Sequence, residues 1–231
     1  MKLTWMAILG VGILGAQTSA QEPAAPKTEK EKVSYGIGVA VERNFKRQGI
    51  EVDLDSVIKG MRDAASGDKL LMTEDDLNAT LTAFRTEMAK KQEQATKKAA
   101  EVNKKAGEAF LAENKKKDGV LTLPSGLQYK ILKAGEGRKP TMDDTVECQY
   151  RGALLDGTEF DSSYRMGKPL TFDVKGVIAG WREALQLMPV GSKWQLFVPP
   201  QLAYGERGTS GIGPNVTLVF EVELVSIQSK S

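Results

Sequence analysis

The chain has 231 residues, with 32 Lys and Arg against 30 Asp and Glu, no histidine and one cysteine, Cys148. A net charge of +2 implies no strongly acidic or basic partner. The absent histidines exclude Ser-His-Asp and Cys-His triads, His-based metal sites and a His general base, while a single cysteine excludes an intrachain disulfide, a CxxC pair and a Cys-rich zinc site.

No P-loop and no credible dinucleotide fingerprint is present, so the sequence implies chemistry without metal or nucleotide. At the N-terminus, Lys2 precedes an apolar run, Leu3 to Ala16, that is short for a bilayer span, and Thr18-Ser19-Ala20 offers a small-residue cleavage site. The expectation is a signal peptide over residues 1–20, with a retained anchor as the alternative, and a flexible stretch over 21–30. No cysteine lies near the cleavage point, which excludes a lipid anchor there.

From Glu31 to about Lys117 the pattern is helical. Val33, Ile37, Val41 and Phe45 recur at spacing four, with Gly49 as a stop. Gly36 and Gly38 weaken this helix by roughly 1 kcal/mol each unless another helix packs closely there. A second helix runs from about Leu54 to Ser66, capped by Asp53 and ended by Gly67. Thr73 and Asp76 open a third, in which Leu77, Leu81, Phe84 and Met88 form a stripe. After Met88 the stripe thins to Ala95, Ala99, Val102, Ala106 and Phe110, with Lys and Glu on the other faces. A helix polar on most faces implies a solvated connector, roughly 65 Å long if continuous from Thr73 to Lys117. Interleaved Glu residues argue against reading its Lys pairs as a nucleic-acid patch. So small a helical unit cannot hide Ile37, Val41, Phe45, Met61 and Met88 alone, so a homodimer through these helices is expected, with a small monomeric domain as the alternative. The expected divisions are a helical dimerisation domain over 31–88, a connecting helix over 89–117 and a sheet domain over 118–231.

At Asp118-Gly119 the period changes to two. Leu127–Leu132 reads as a strand, and Val146, Cys148 and Tyr150 alternate with Glu147, Gln149 and Arg151 in another. Cys148 then reads as a small buried hydrophobe rather than a redox group. Asp156-Gly157 marks a hairpin, followed by short strands at 158–161 and 170–174. Val177 to Met188 is the helix signal of this half, and Trp194, Leu196 and Val198 mark the next strand. Four glycines and Pro214 make residues 205–214 a loop that can fold over something, and Val216 to Leu224 supplies the last strand. The fold class is α+β, an antiparallel sheet whose apolar face is covered by one short helix, preceded by an all-α half.

The order Phe160-Asp161-Ser162-Ser163, Gly167-Lys168-Pro169-Leu170-Thr171-Phe172, Val177-Ile178-Ala179-Gly180-Trp181, Ala203-Tyr204-Gly205 and Thr217–Leu224 resembles the FKBP-type peptidyl-prolyl isomerases. Ser34–Gly38, Asn44–Ile50 and Leu123–Tyr129 are similar to the helical dimerisation domain of the macrophage infectivity potentiator (Mip) group. The resemblance implies a sheet of about six strands curled around the short helix, with a pocket between them. It implies Trp181 as the floor for the proline ring, with Tyr150, Phe160, Leu170, Val177, Ile178 and Phe220 as apolar walls. The Ile178 N–H and the Tyr204 hydroxyl are implied to hold substrate carbonyls, and Asp161 to orient polar groups against the twisted amide; Asp161, Tyr204 and Tyr150 are thus the expected catalytic set. No cofactor and no metal are implied. The implied partners are unfolded or proline-containing chains and macrolide FKBP ligands, with no nucleic acid and no stable membrane insertion after leader cleavage. The expected place is the periplasm, with outer-membrane or surface association as a variation, and chaperone action is expected of a dimer. Thr209, Gly213 and Leu170 depart from residues common in the family. A proline-binding chaperone or adaptor with little turnover, and a scaffold with a merely structural sheet domain, are the alternatives.

Overall fold

The structure is a computed structural model and describes residues 25–67 and 69–228; the expected leader lies outside them. The chain forms two compact units that divide between Glu74 and Asp75.

In the first unit, α1 (Glu29–Gln48) begins two residues before the expected start. Thr28 accepts from the Glu31 N–H at 3.2 Å, and the Glu31 carboxylate accepts from the Thr28 N–H at 3.0 Å. This reciprocal cap sits where no apolar residue sets a period. Gly49 closes the helix in the left-handed conformation. The second helix, α2 (Leu54–Ser66), has the expected bounds, with Asp53 accepting from the Ser56 N–H at 2.7 Å and Gly67 as its C-cap. Neither helix contains a buried residue.

The 41-residue helix α3 (Glu74–Asn114) belongs to the second unit from its second residue on. Seven strands follow: β1 (Val120–Thr122), β2 (Gln128–Lys133), β3 (Thr145–Ala153), β4 (Glu159–Ser162), β5 (Leu170–Asp173), β6 (Lys193–Val198) and β7 (Leu218–Gln228). All pairings are antiparallel, in the order β1-β2-β6-β7-β3-β4, with β5 also on β3. The expectation of about six strands is short by one, because three residues of β1 are too few to display a period. The predicted alternation sets the core. Val146, Cys148 and Tyr150 of β3, Trp194, Leu196 and Val198 of β6, and Phe220, Val222 and Leu224 of β7 are buried on one face. Against them lies the short helix α4 (Ala179–Leu185), which contributes Trp181, Ala184 and Leu185.

The other face of the sheet carries the end of α3, so the expected solvated connector is docked over its last turns, while most of residues 89–106 are exposed. Phe110 meets Phe197 of β6 with ring centroids 5.8 Å apart. Asn114 is buried and donates to the Gln128 side chain at 3.0 Å, while Gln128 donates to the Leu111 carbonyl at 2.9 Å. Gly107 is also buried, and a Cβ there would lie 2.3 Å from Oγ1 of Thr217. Apart from Phe110, which belongs to the expected stripe, polar and side-chain-free positions make this helix face, so a search for an apolar stripe finds little of it; Val102, also on that stripe, is 58 % exposed.

Candidate functional site

A cavity of about 310 Å³ opens between α4 and the concave side of the sheet. Its base is Trp181, only 4 % exposed. Three rings stand edge-on to that indole: Tyr150 at 5.1 Å, Phe220 at 5.3 Å and Phe172 at 5.6 Å between centroids, with interplanar angles of 85°, 82° and 73°. Phe160 meets Phe220 at 5.6 Å and 89°. Edge-to-face pairs of this kind fix ring orientation as well as burying area. Gly176, Val177 and Ile178 form the side nearest α4, and Asp161 and Tyr204 complete the lining.

Strand pairing brings the polar groups together. Gly152 of β3 lies opposite Asp161 of β4, and the Ser163 N–H donates to the Tyr150 carbonyl at 3.0 Å. Ser163 Oγ accepts from the Tyr150 N–H at 2.8 Å. With its backbone clamped at both ends, Tyr150 donates its phenol hydrogen to Oδ2 of Asp161 at 2.6 Å, and Oδ1 accepts from the Ser162 N–H at 2.9 Å. Burial, then the hydrogen bond to the Asp161 carboxylate, raise the Tyr150 phenol well above its ordinary range, so it stays a neutral donor. Tyr204 is 40 % exposed at the opening. Ile178 sits just ahead of the first turn of α4, and no acceptor among the described residues takes its backbone N–H. The arrangement is an apolar box with a few preset donors, and the carboxylate at its rim, Asp161, is engaged by the Tyr150 hydroxyl and the Ser162 N–H. It can hold a ring and a carbonyl, and it suits a reaction in which no bond to the protein forms.

Eight of the nine residues expected at the site therefore converge: Asp161, Tyr204, Tyr150, Phe160, Val177, Ile178, Trp181 and Phe220. Leu170 does not line the cavity. It packs beside Cys148, its register partner, against the core. The wall from that strand is Phe172, two residues on and on the same face, whose ring reaches Trp181. Gly152 is the other residue the sequence reading missed. A Cβ there would lie 2.7 Å from Cζ of Phe160 and 2.8 Å from Cε1 of Phe220, so the two wall rings meet only because position 152 has no side chain. Thr209 and Gly213 do not line the cavity. They flank Ile212, which is buried in the core, while Thr209 and Ile212 bond each other's backbones at 2.9 and 3.1 Å.

Fold and cavity define a prolyl-isomerase architecture, and comparison with known proteins agrees. Residues 136–225 match the model of the FKBP-type peptidyl-prolyl cis-trans isomerases, and residues 30–131 match the domain amino-terminal to them. The chain belongs to the FKBP-type peptidyl-prolyl cis-trans isomerases, enzymes that rotate X–Pro bonds.

Within that family it is 48 % identical over 229 residues to the outer membrane protein MIP of Legionella longbeachae, covering 99 % of this chain and 98 % of the relative. It is 44 % identical to the peptidyl-prolyl cis-trans isomerase Mip of Coxiella burnetii over the full length of both. The crystal structure of FkpA from Escherichia coli superposes with a TM-score of 0.67 at 37 % identity, covering 88 % of this chain and 99 % of that one.

Proposed function

We propose that X–Pro rotation takes place in the cavity over Trp181, with the proline ring on the indole and the flanking carbonyls held by the Tyr204 hydroxyl and the Ile178 N–H. The observation that carries this is the joining of an aromatic box to the Tyr150–Asp161 hydrogen bond at 2.6 Å. Rotation must break amide resonance, a barrier of about 18–20 kcal/mol. The twisted amide is less polar than the planar one, so an apolar cavity favours it over the ground state, and preset donors hold the carbonyl as it turns. Tyr150 orients the Asp161 carboxylate, which acts at the rim on the polar groups of the twisted amide. Asp161→Ala and Tyr150→Phe variants are expected to lose most of the rate with a short Leu-Pro peptide. Full rate in both, with the fold intact, would exclude this assignment.

We further infer that the enzyme is a homodimer through its N-terminal helices. Val33 and Ile37 are each 60 % exposed and Met61 57 %, which leaves the apolar faces of α1 and α2 uncovered. Nothing lies within 4 Å of a Cβ placed on Gly36 or Gly38, so close approach by a second helix is open there. Two linked pockets raise avidity for an unfolded chain, which supports chaperone action beside turnover. Sedimentation of the mature protein should give twice the chain mass. Ile37→Glu with Met61→Glu should give a monomer that still turns over the peptide; a wild-type monomer contradicts the dimer.

Export to the periplasm follows from the expected signal peptide. No helix among the described residues is long and apolar enough to cross a membrane, and the Legionella relative bears the name of an outer membrane protein, so association with that membrane's periplasmic or outer face is part of the proposal. Mass spectrometry of the exported protein should find Gln21 as its first residue.

A further inference from the structure

We propose that Asn103 of α3 is a positioning residue for the isomerisation, acting through the loop that carries Tyr204; the inference rests on the role of Tyr204 proposed above. That loop runs from Tyr204 to Val216 and contains Gly205, Gly208, Gly211 and Gly213. A segment so rich in glycine has many accessible conformations; buried Ile212 and its backbone pairing with Thr209 fix the middle of the loop, and its C-terminal end needs a hold of its own. Tyr204 is 40 % exposed, and its place over the cavity therefore depends on where its backbone is put.

The hold comes from α3. Nδ2 of Asn103 donates to the Pro214 carbonyl at 2.8 Å. One turn earlier, the Ala100 carbonyl receives the Asn215 side-chain amide at 3.5 Å, and one turn later Gly107 lies against Thr217. Positions 100, 103 and 107 make one face, and residues 214–217 lie along it. Asn215 is the one non-glycine residue with positive φ, 54°, among the described residues. Its N–H donates to the Gly205 carbonyl at 2.9 Å, and the Gly205 N–H donates to the Pro200 carbonyl at 2.8 Å. The line Asn103–Pro214–Asn215–Gly205 thus ends one peptide from Tyr204. Asparagine is a weak helix former, yet it stands inside a 41-residue helix, three turns before its end, where its amide serves the loop rather than the helix.

The test uses the full mature protein with Asn103→Ala, Asn103→Asp, Tyr204→Phe and the Asn103→Ala/Tyr204→Phe double variant. Two readouts are taken: kcat/KM for a Leu-Pro peptide, and amide hydrogen exchange at Gly205 and Asn215. Asn103→Ala is expected to lower kcat/KM by about fivefold, the size of one ordinary hydrogen bond, and to speed exchange at both amides. Asn103→Asp keeps the shape, removes the donor, and is expected to do at least as much. In the Tyr204→Phe background the Asn103→Ala loss should shrink to less than about twofold, because the group it positions is gone. Unchanged exchange, or equal losses in both backgrounds, overturns the proposal. A Tyr204→Phe enzyme with full rate would remove the role of Tyr204 and, with it, catalytic positioning by Asn103, while faster exchange in Asn103→Ala would still identify it as the anchor of the loop.

Discussion

Gly107→Ala tests the docking of α3 on the sheet. In an exposed helix interior this change stabilises by about 1 kcal/mol, because glycine has more backbone freedom to lose. Here the new Cβ would come within 2.3 Å of Thr217 Oγ1 and 3.3 Å of Thr217 Cβ. Thr217 is 1 % exposed, and its hydroxyl has no partner among the described residues, so it has little room to swing away. Overpacking of this kind costs about 1–3 kcal/mol, which exceeds the helical gain over most of its range. The variant is expected to lose up to about 2 kcal/mol. In a Thr217→Ala background the oxygen is absent, and the same change should stabilise by about 0.5–1 kcal/mol. Urea unfolding followed by tryptophan emission reads the right unit, since Trp181 and Trp194 both lie in the sheet domain. Stabilisation by Gly107→Ala of the same size in both backgrounds would mean that helix and strand do not approach as described.

Gly152→Ala should push the Phe160 and Phe220 rings apart, since its Cβ would fall within 2.9 Å of both. Displacing two walls is expected to lower kcat/KM by about 10- to 100-fold, and an undiminished rate would show that the walls do not form the reacting site. The Asp144 carboxylate accepts from the two terminal guanidinium nitrogens of Arg138 at 2.9 and 3.1 Å and from the Thr141 N–H at 2.7 Å, and the Arg138 hydrogen bonds, first, hold its carboxyl well below the usual carboxylate range. A depressed carboxyl contributes stability above its unfolded pKa, about 3.9, and loses that contribution as pH falls below it. Asp144→Asn should therefore be less stable at neutral pH and lose less between about pH 5 and pH 2; parallel acid curves would refute the assignment. Cys148 is fully buried, and burial first, then Glu147, push its thiol up to about 12. Iodoacetamide should label it only as fast as the sheet domain unfolds, and rapid labelling of the native protein would contradict its place in the core.

The site was legible where side chains announce themselves. The aromatics at 150, 160, 181 and 220, with Asp161 and Tyr204, stand in a fixed order of motifs, and β3 and β7 alternate cleanly enough to aim them inward. The bounds of α2 could be read because Asp53 and Gly67 are strong end signals. What escaped lacks such marks. β1 is three residues long. Leu170 and Phe172 share a face, and only the register with β3 and the reach of the phenyl ring decide which enters the cavity. Gly152 acts by having no side chain. On the docking face of α3, Phe110 belongs to the expected stripe and meets Phe197, while Ala100, Asn103, Gly107 and Asn114 carry no large apolar side chain to mark them.

The most direct measurement is the cis-to-trans rate of a short Leu-Pro peptide with the purified mature protein beside its Tyr204→Phe variant. Clear acceleration by the wild type, with a several-fold loss in the variant and the fold unchanged, is the predicted result. No acceleration by a folded wild type would contradict rotation of the prolyl bond over Trp181 and leave the cavity as a site that grips proline without turning it over.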